Sequence, residues 1–256
     1  MIDLASQTNL LNQFHNVWTG ALLVFVRCMA FVTMAPPTSH KSIPVMVKIA
    51  YAISLTLMIL PTLKEPEYYP KNHEFIYQIV LNIFVGLFIG WLSMFVMEIV
   101  KIAGEIINSQ MSLQSASLFD PGSQTQTTII GKFFDLLVFV VFLSCSGVEK
   151  VILGLSKSFN TFPILITSFD INMLKVLNAT YQVVLIGFLI SSPIVMTLLA
   201  IDLILGIMSR AAPQINAFQI SFGIKPSVGV ILLLLLLPAL FPVIKGLCEQ
   251  PFRFMY

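Results

Sequence analysis

Apolar residues along this chain come in long blocks, not in the alternation of a half-buried strand. Val17 to Ala35, Ile76 to Val100 and Tyr181 to Met208 are such blocks, each broken only by isolated polar residues. Each is of the length, about 20 residues, that lets a helix cross a hydrocarbon layer. Val45 to Leu60, Ile129 to Ser146 and Val228 to Ile244 are shorter or more punctuated, and the last contains the unbroken run Ile231 to Leu237. Pro36, Pro37, Pro44, Pro61, Pro66, Pro70, Pro121, Pro163, Pro213 and Pro226 fall between the blocks. A residue without an amide hydrogen does least harm to a helix there, so these prolines mark the joints. Pro193 and Pro238 lie inside blocks and predict kinks whose freed carbonyls find other donors. The pattern predicts an all-α, membrane-type fold of about six long apolar helices, two of them bent, in one domain over residues 1–256.

Composition agrees with a lipid or protein environment. Hydrophobic residues make up 57% of the chain, charged residues 10%, and the mean hydropathy is +0.92. A water-facing surface cannot be built from this mix. The net charge of +2 is small and its carriers are scattered, so there is no basic face to track a phosphate backbone, and nucleic acid is not expected as a partner. Cys28, Cys145 and Cys248 are far apart and odd in number, which fits small apolar packing residues better than a disulfide framework or a metal site. Met1 to Asn16 contains Asp3 and no Lys or Arg. The positively charged start of a cleavable signal peptide is therefore missing, and insertion is expected to be directed by the mature segments.

Charge placement complicates a simple six-span reading. One set of alternate loops and ends holds Lys64, Lys71, Lys150, Lys157, Lys175, Lys245 and Arg253, the other Lys41, Lys48, Lys101, Arg210 and Lys225. That is too little asymmetry to orient the helices by the excess of positive charge in cytoplasmic loops. Arg27, Asp135 and Asp202 also lie near or within apolar runs, where a central charge costs ~2.5–3.5 kcal/mol. Either these charges are paired inside a bundle, or the helices belong to an assembly and need not each cross the bilayer. Asp135 or Asp202 is expected to pair with Arg27, Lys132 or a cation of a partner subunit, and Lys132 and Asp135, three residues apart, to neutralise each other. Glu98, Lys101 and Glu105 have helical spacing and read as a salt-bridged helix end in preference to a proton relay.

Chemistry-bearing motifs are absent. The chain has no GxSxG, HExxH, phosphate-binding lysine loop or dinucleotide fingerprint, and His15, His40 and His73 sit in separate junctions. An enzyme is not expected, nor a cofactor or a metal.

The informative stretch runs from Ala103 to Gly131. Asn108, Ser109, Gln110, Ser112, Gln114, Ser115, Ser117 and Gln124 to Thr128 form a polar segment with almost no charge, interrupted by Met111, Leu113, Ala116, Leu118 and Phe119. Uncharged Ser, Thr and Gln suit a water-filled cavity or helix contacts at membrane depth. An extramembrane loop is the plainer alternative. Asp120, Pro121 and Gly122 form a turn after it. Downstream, the helix carrying Asp202 is expected to end near Ser209 and Arg210, where a cation complements the helix dipole, and the chain restarts after Pro213 as an amphipathic corner.

Taken in order, Ala103-Gly104-Glu105-Ile106-Ile107, Gln110-Met111, Phe119-Asp120-Pro121-Gly122-Ser123, Ile130-Gly131 and Ser209-Arg210-Ala211-Ala212-Pro213-Gln214-Ile215-Asn216 resemble the FliR family of flagellar type III export proteins. The Arg27 helix followed by Pro36-Pro37, Ile43-Pro44 and Lys48 resembles that family's N-terminal segment. The virulence-secretion homologues usually carry Asp-Asn-Gln-Arg-Gly-Ala at the loop, where this chain has Asn108-Ser109-Gln110-Met111-Ser112-Leu113, which favours the flagellar branch. Where the flagellar loop often carries a bulky Phe, this sequence has Ser115, so closure by aromatic packing leans on Leu118 and Phe119.

The resemblance implies a gate subunit in the bacterial inner membrane at the flagellar basal body, assembled with FliP-like and FliQ-like subunits and touching an FlhB-like one. Its substrates would be unfolded flagellar proteins. It also implies N-terminal helices over 1–102, a pore or plug region over 103–131 whose sealing residues run from Gln110 to Phe119, and C-terminal helices over 132–256. Glu98, Lys101, Glu105, Arg210, Pro213 and Asn216 are the candidate subunit contacts. The alternative from another class is a secondary transporter of small solutes, which often shows halves related by a repeat; no internal repeat is visible here.

Overall fold

Long apolar blocks become long helices because, away from water, every backbone amide must be satisfied within the segment. The computed structural model describes residues 4–36, 38–39, 43–63, 72–112, 129–166, 173–214 and 216–249. The helices are α1 (Leu4–Met34), α2 (Val45–Ile59, continued by a 3-10 turn, Leu60–Thr62), α3 (Asn72–Gln110), α4 (Ile129–Ser144), α5 (Gly147–Thr161), α6 (Met173–Ala211) and α7 (Ala217–Glu249). No strand occurs among the described residues. Among the described residues, five helices are long and apolar enough to cross a membrane, and α4 with α5 forms a further pair bent by 72°.

Helix α3 is the centre of the packing. It contacts α1, α6 and α4, while α2 lies on α1 and α7 lies on α6 and α4. The α1–α3 contact is close because α3 presents Gly86 and Gly90, one turn apart, to α1. A Cβ on Gly86 would run into the carbonyl oxygen of Arg27, and one on Gly90 would lie 2.8 Å from Met34 Cβ and 2.9 Å from the Phe31 oxygen. Small residues four apart let two helix backbones approach at membrane depth, where dispersion contacts replace the hydrophobic effect as the driving force. Leu23, Phe31, Val85 and Ile89 fill the space around the crossing and are buried.

The expected six long apolar helices are there when the bent pair α4–α5 is taken as one span; its second arm, α5, carries Glu149, Lys150 and Lys157 and is amphipathic, with Val151, Leu155 and Phe159 buried on one face. Two expectations need correction. Pro226 is not a joint: it lies inside α7, as do Pro238 and Pro242. The chain already turns helical at Ala217, so the corner after α6 is only a few residues long. The polar stretch does not begin as a loop either, since Ala103 to Gln110 complete α3.

The α4–α5 corner forms without proline. Ser146 takes left-handed backbone (φ 54, ψ 35), and the Lys150 ammonium donates to the Cys145 carbonyl at 2.9 Å, covering an acceptor that the end of α4 leaves open.

Candidate functional site

Arg27 projects from α1 into a fully buried polar node. Its Nε–H donates to Asn82 Oδ1 at 2.8 Å, Nη1 to the Phe162 carbonyl at 2.7 Å and Nη2 to the Pro163 carbonyl at 2.9 Å. The guanidinium carbon stands 4.1 Å from the Phe159 ring centroid. Phe162 caps the C-terminus of α5, so the cation meets the negative end of a helix dipole and an aromatic face. The expected pairing of Arg27 with Asp135 or Asp202 does not occur. A planar fork of five N–H donors satisfies spread-out carbonyls as well as a carboxylate does.

The node continues along α3. Asn82 Nδ2 donates to the Gln78 carbonyl at 2.8 Å and to the Ile164 carbonyl at 3.1 Å. Gln78 holds Ile166 from both sides, donating to its carbonyl at 3.0 Å and accepting its N–H at 2.9 Å. The non-helical strap of residues 162–166 is thus gripped at its main chain by three buried side chains from two helices. Sequence patterns singled out neither Gln78 nor Asn82, although two amides four apart in an apolar block lie on one helix face and are a usable signal.

Asp202 of α6 makes an ion pair with Lys225 of α7. The cation within this chain is therefore Lys225 and not Arg27 or Lys132, and it comes from a helix where a loop was expected. The Lys225 side chain is 11% exposed and that of Asp202 37%. Removing the carboxylate leaves a nearly buried ammonium uncompensated, which in a fully buried pair costs about 3–5 kcal/mol and here less, because Asp202 is partly solvated. Asp202→Ala is expected to lower recovery of folded protein in detergent, and Asp202→Leu with Lys225→Met to restore it. A double variant no better than Asp202→Ala would refute the pairing.

The other charged candidates are peripheral. Lys132 is exposed and Asp135 half-buried, and no ion pair joins them: facing outward near the start of α4, they do not neutralise each other. Glu98 and Lys101 approach to 3.9 Å at partly exposed positions, an arrangement worth little on its own, and Glu105 is exposed. Arg210 lies in the last turn of α6 and Pro213 is exposed in the corner beyond it. Asn216 Oδ1 accepts the Gln219 N–H at 3.3 Å and caps the start of α7.

The root of the expected pore segment is built on α3. Gln110 is its last helical residue, and Met111 and Ser112 turn out of it, Ser112 with left-handed backbone (φ 57). Met111, expected among the sealing residues, is fully buried against Gly229 of α7, where a Cβ would lie 2.7 Å from its Cγ. Asn108, one turn earlier, is buried, and among the described residues neither of its side-chain amide atoms has a hydrogen-bond partner. Leu113, Gln114, Ser115, Ala116, Ser117, Leu118 and Phe119, with the turn Asp120, Pro121 and Gly122, lie outside the described residues.

The family described as Bacterial export proteins, family 1, matches residues 18–250. The chain belongs to this family. Similar members include the flagellar biosynthetic protein FliR of Escherichia coli (strain K12), 30% identical over 231 residues that cover 90% of this chain and 88% of the relative. FliR of Bacillus subtilis (strain 168) is 28% identical over 243 residues, 92% of this chain and 93% of the relative. Beyond the flagellar relatives, the surface presentation of antigens protein SpaR of Shigella flexneri is 29% identical over 152 residues, 59% of each chain.

Proposed function

We propose that this chain is a structural and gating subunit of a flagellar type III protein export channel, helping to form and close the pore through which unfolded flagellar proteins leave the cytoplasm. The observation that carries the reading is similarity to flagellar FliR proteins along about nine-tenths of the chain, against the shorter match to SpaR. Its partners are FliP-like and FliQ-like subunits and an FlhB-like one, in the inner membrane at the flagellar basal body. The outer faces of α6 and α7 support such an assembly, since Leu174, Leu203, Ile207, Leu234 and Leu235 are exposed there and must be covered by protein or lipid. The subunit works as a channel part, without catalysis. None of the relatives named above is a solute transporter.

Within this reading, residues Gln110 to Phe119 close the resting pore. A channel wide enough for an unfolded chain leaks ions unless an apolar constriction dewets it, and Leu113, Leu118 and Phe119 supply apolar tips beyond the root at Met111. Deleting Ser112 to Phe119, or replacing Leu118 and Phe119 together with Gly, is expected to leave the complex assembled while raising membrane conductance and slowing growth on expression. Wild-type conductance from an assembled deletion complex would reassign the segment as a subunit contact or an exposed connection.

A further inference from the structure

We infer that the last turn of α3 is a two-position seat, in which Met111 on Gly229 holds the closed position and the stranded amide of Asn108 weighs against it. The inference deepens the gating reading above and rests on it.

Two independent observations meet at this turn. Gly229 leaves a notch on α7 that Met111 fills so closely that a Cβ there would lie 2.5 Å from Met111 Cε, 2.7 Å from Cγ and 2.9 Å from Sδ. Methionine is an unbranched, adaptable filler, suited to an apolar contact that must form and release without wrecking its surroundings. Three residues earlier, on the same side of the helix, Asn108 is 1% exposed and, among the described residues, finds a partner for neither amide atom. A buried amide without partners favours any rearrangement that hydrates or pairs it. Elsewhere on this helix, Gln78 and Asn82 are buried and fully engaged, so burial of an idle amide is particular to the turn at the loop root.

The two features oppose each other across one helical turn. Contact with Gly229 fixes where α3 ends and where Ser112, in left-handed backbone, sends the chain. A small rotation or fraying of the turn withdraws Met111 from the notch and frees Asn108 together. The seat is thereby held by an apolar contact and biased toward release by a polar one, which makes opening reversible. Asn108 and Met111 are positioning residues for the seal and not the seal itself.

Substitutions of opposite sign test this in the complete export complex. Gly229→Ala and Gly229→Val fill the notch and are expected to raise resting conductance, the larger by roughly tenfold or more through a shift in the seated population. Met111→Ala combined with Gly229→Val makes room for the new side chain and is expected to bring conductance back toward wild type. Asn108→Leu removes the idle amide and is expected to lower export while raising the melting temperature of the complex. If Gly229→Val fails to assemble, Gly229→Ala with and without Met111→Ala is the deciding pair. Unchanged conductance in the Gly229 variants, a leak that Met111→Ala does not relieve, or an Asn108→Leu complex that fails to assemble or leaks would overturn the seat. The Leu118 and Phe119 double variant separates the two ideas. If it leaks and the Gly229 variants do not, the seat alone is wrong. If the Gly229 variants leak and are rescued while the double variant is tight, the seat stands and the sealing residues lie elsewhere.

Discussion

Arg27→Leu is expected to lower the melting temperature of the detergent-solubilised protein by on the order of 10 °C and to reduce its recovery sharply. The leucine leaves Asn82 Oδ1 and the carbonyls of Phe162 and Pro163 buried without the donors they now have. Each stranded acceptor costs about 1–3 kcal/mol, and the lost stacking on Phe159 adds to the deficit. Arg27→Lys is the sharper test, because it keeps the charge and most of the stem. One ammonium cannot serve three acceptors set around a planar fork, so lysine is expected to recover only part of the loss. Thermal melting of the two variants beside wild type decides the matter. An Arg27→Lys protein as stable as wild type would mean that charge alone is needed, and the geometry described for the node would then be irrelevant to stability.

Gly86→Leu is expected to do comparable damage by a different route. The obstacle at Gly86 is the main-chain oxygen of Arg27, which cannot yield without displacing α1, so the crossing opens and the packing around it loosens. Forcing bulk into a filled contact costs about 1–3 kcal/mol, and more where backbone must move. Even Gly86→Ala is expected to destabilise, although alanine is a better helix former than glycine. Gly246→Ala provides the control: nothing among the described residues lies within 4 Å of a Cβ at that position, so it is expected to be neutral or slightly stabilising. Because Gly86 and Arg27 share one contact, Gly86→Ala and Arg27→Lys are expected to combine non-additively. Equal melting of the Gly86→Ala and Gly246→Ala proteins would show that the helices do not depend on this approach.

Helix class and the apolar blocks were legible in the chain because membrane-depth helices announce themselves by length and composition alone. The blocks at Val45 and Ile129 start where helices α2 and α4 start. Helix α5 escapes a search for long apolar runs, since half of its surface is polar and only the spacing of Val151, Leu155 and Phe159 betrays it. The stretch from Ala103 to Gln110 looked like loop by composition, yet nothing in Ser, Asn or Gln forbids a helix already nucleated by the apolar turns before it. Charge partners were the least legible. Asp202 and Lys225 are 23 positions apart in the sequence and meet only because α6 and α7 fold back on each other. The carbonyls that satisfy Arg27 belong to the main chain, which leaves no compositional mark.

The bent pair α4 and α5 has a geometrical debt. With 16 and 15 residues, the two helices are about 24 and 22 Å long at ~1.5 Å per residue, against a hydrocarbon thickness of ~30 Å. Neither arm crosses such a layer alone, although the pair, bent by 72°, is together long enough to do so. A lipid-bathed placement would put the corner among acyl chains together with Lys150, whose ammonium covers the Cys145 carbonyl, and a charge at that depth is costly. The outward side chains Phe133, Leu136, Val140 and Leu143 on α4 nonetheless demand an apolar neighbour. A wall of other helices would meet both demands, the charge at the elbow and the apolar face beside it.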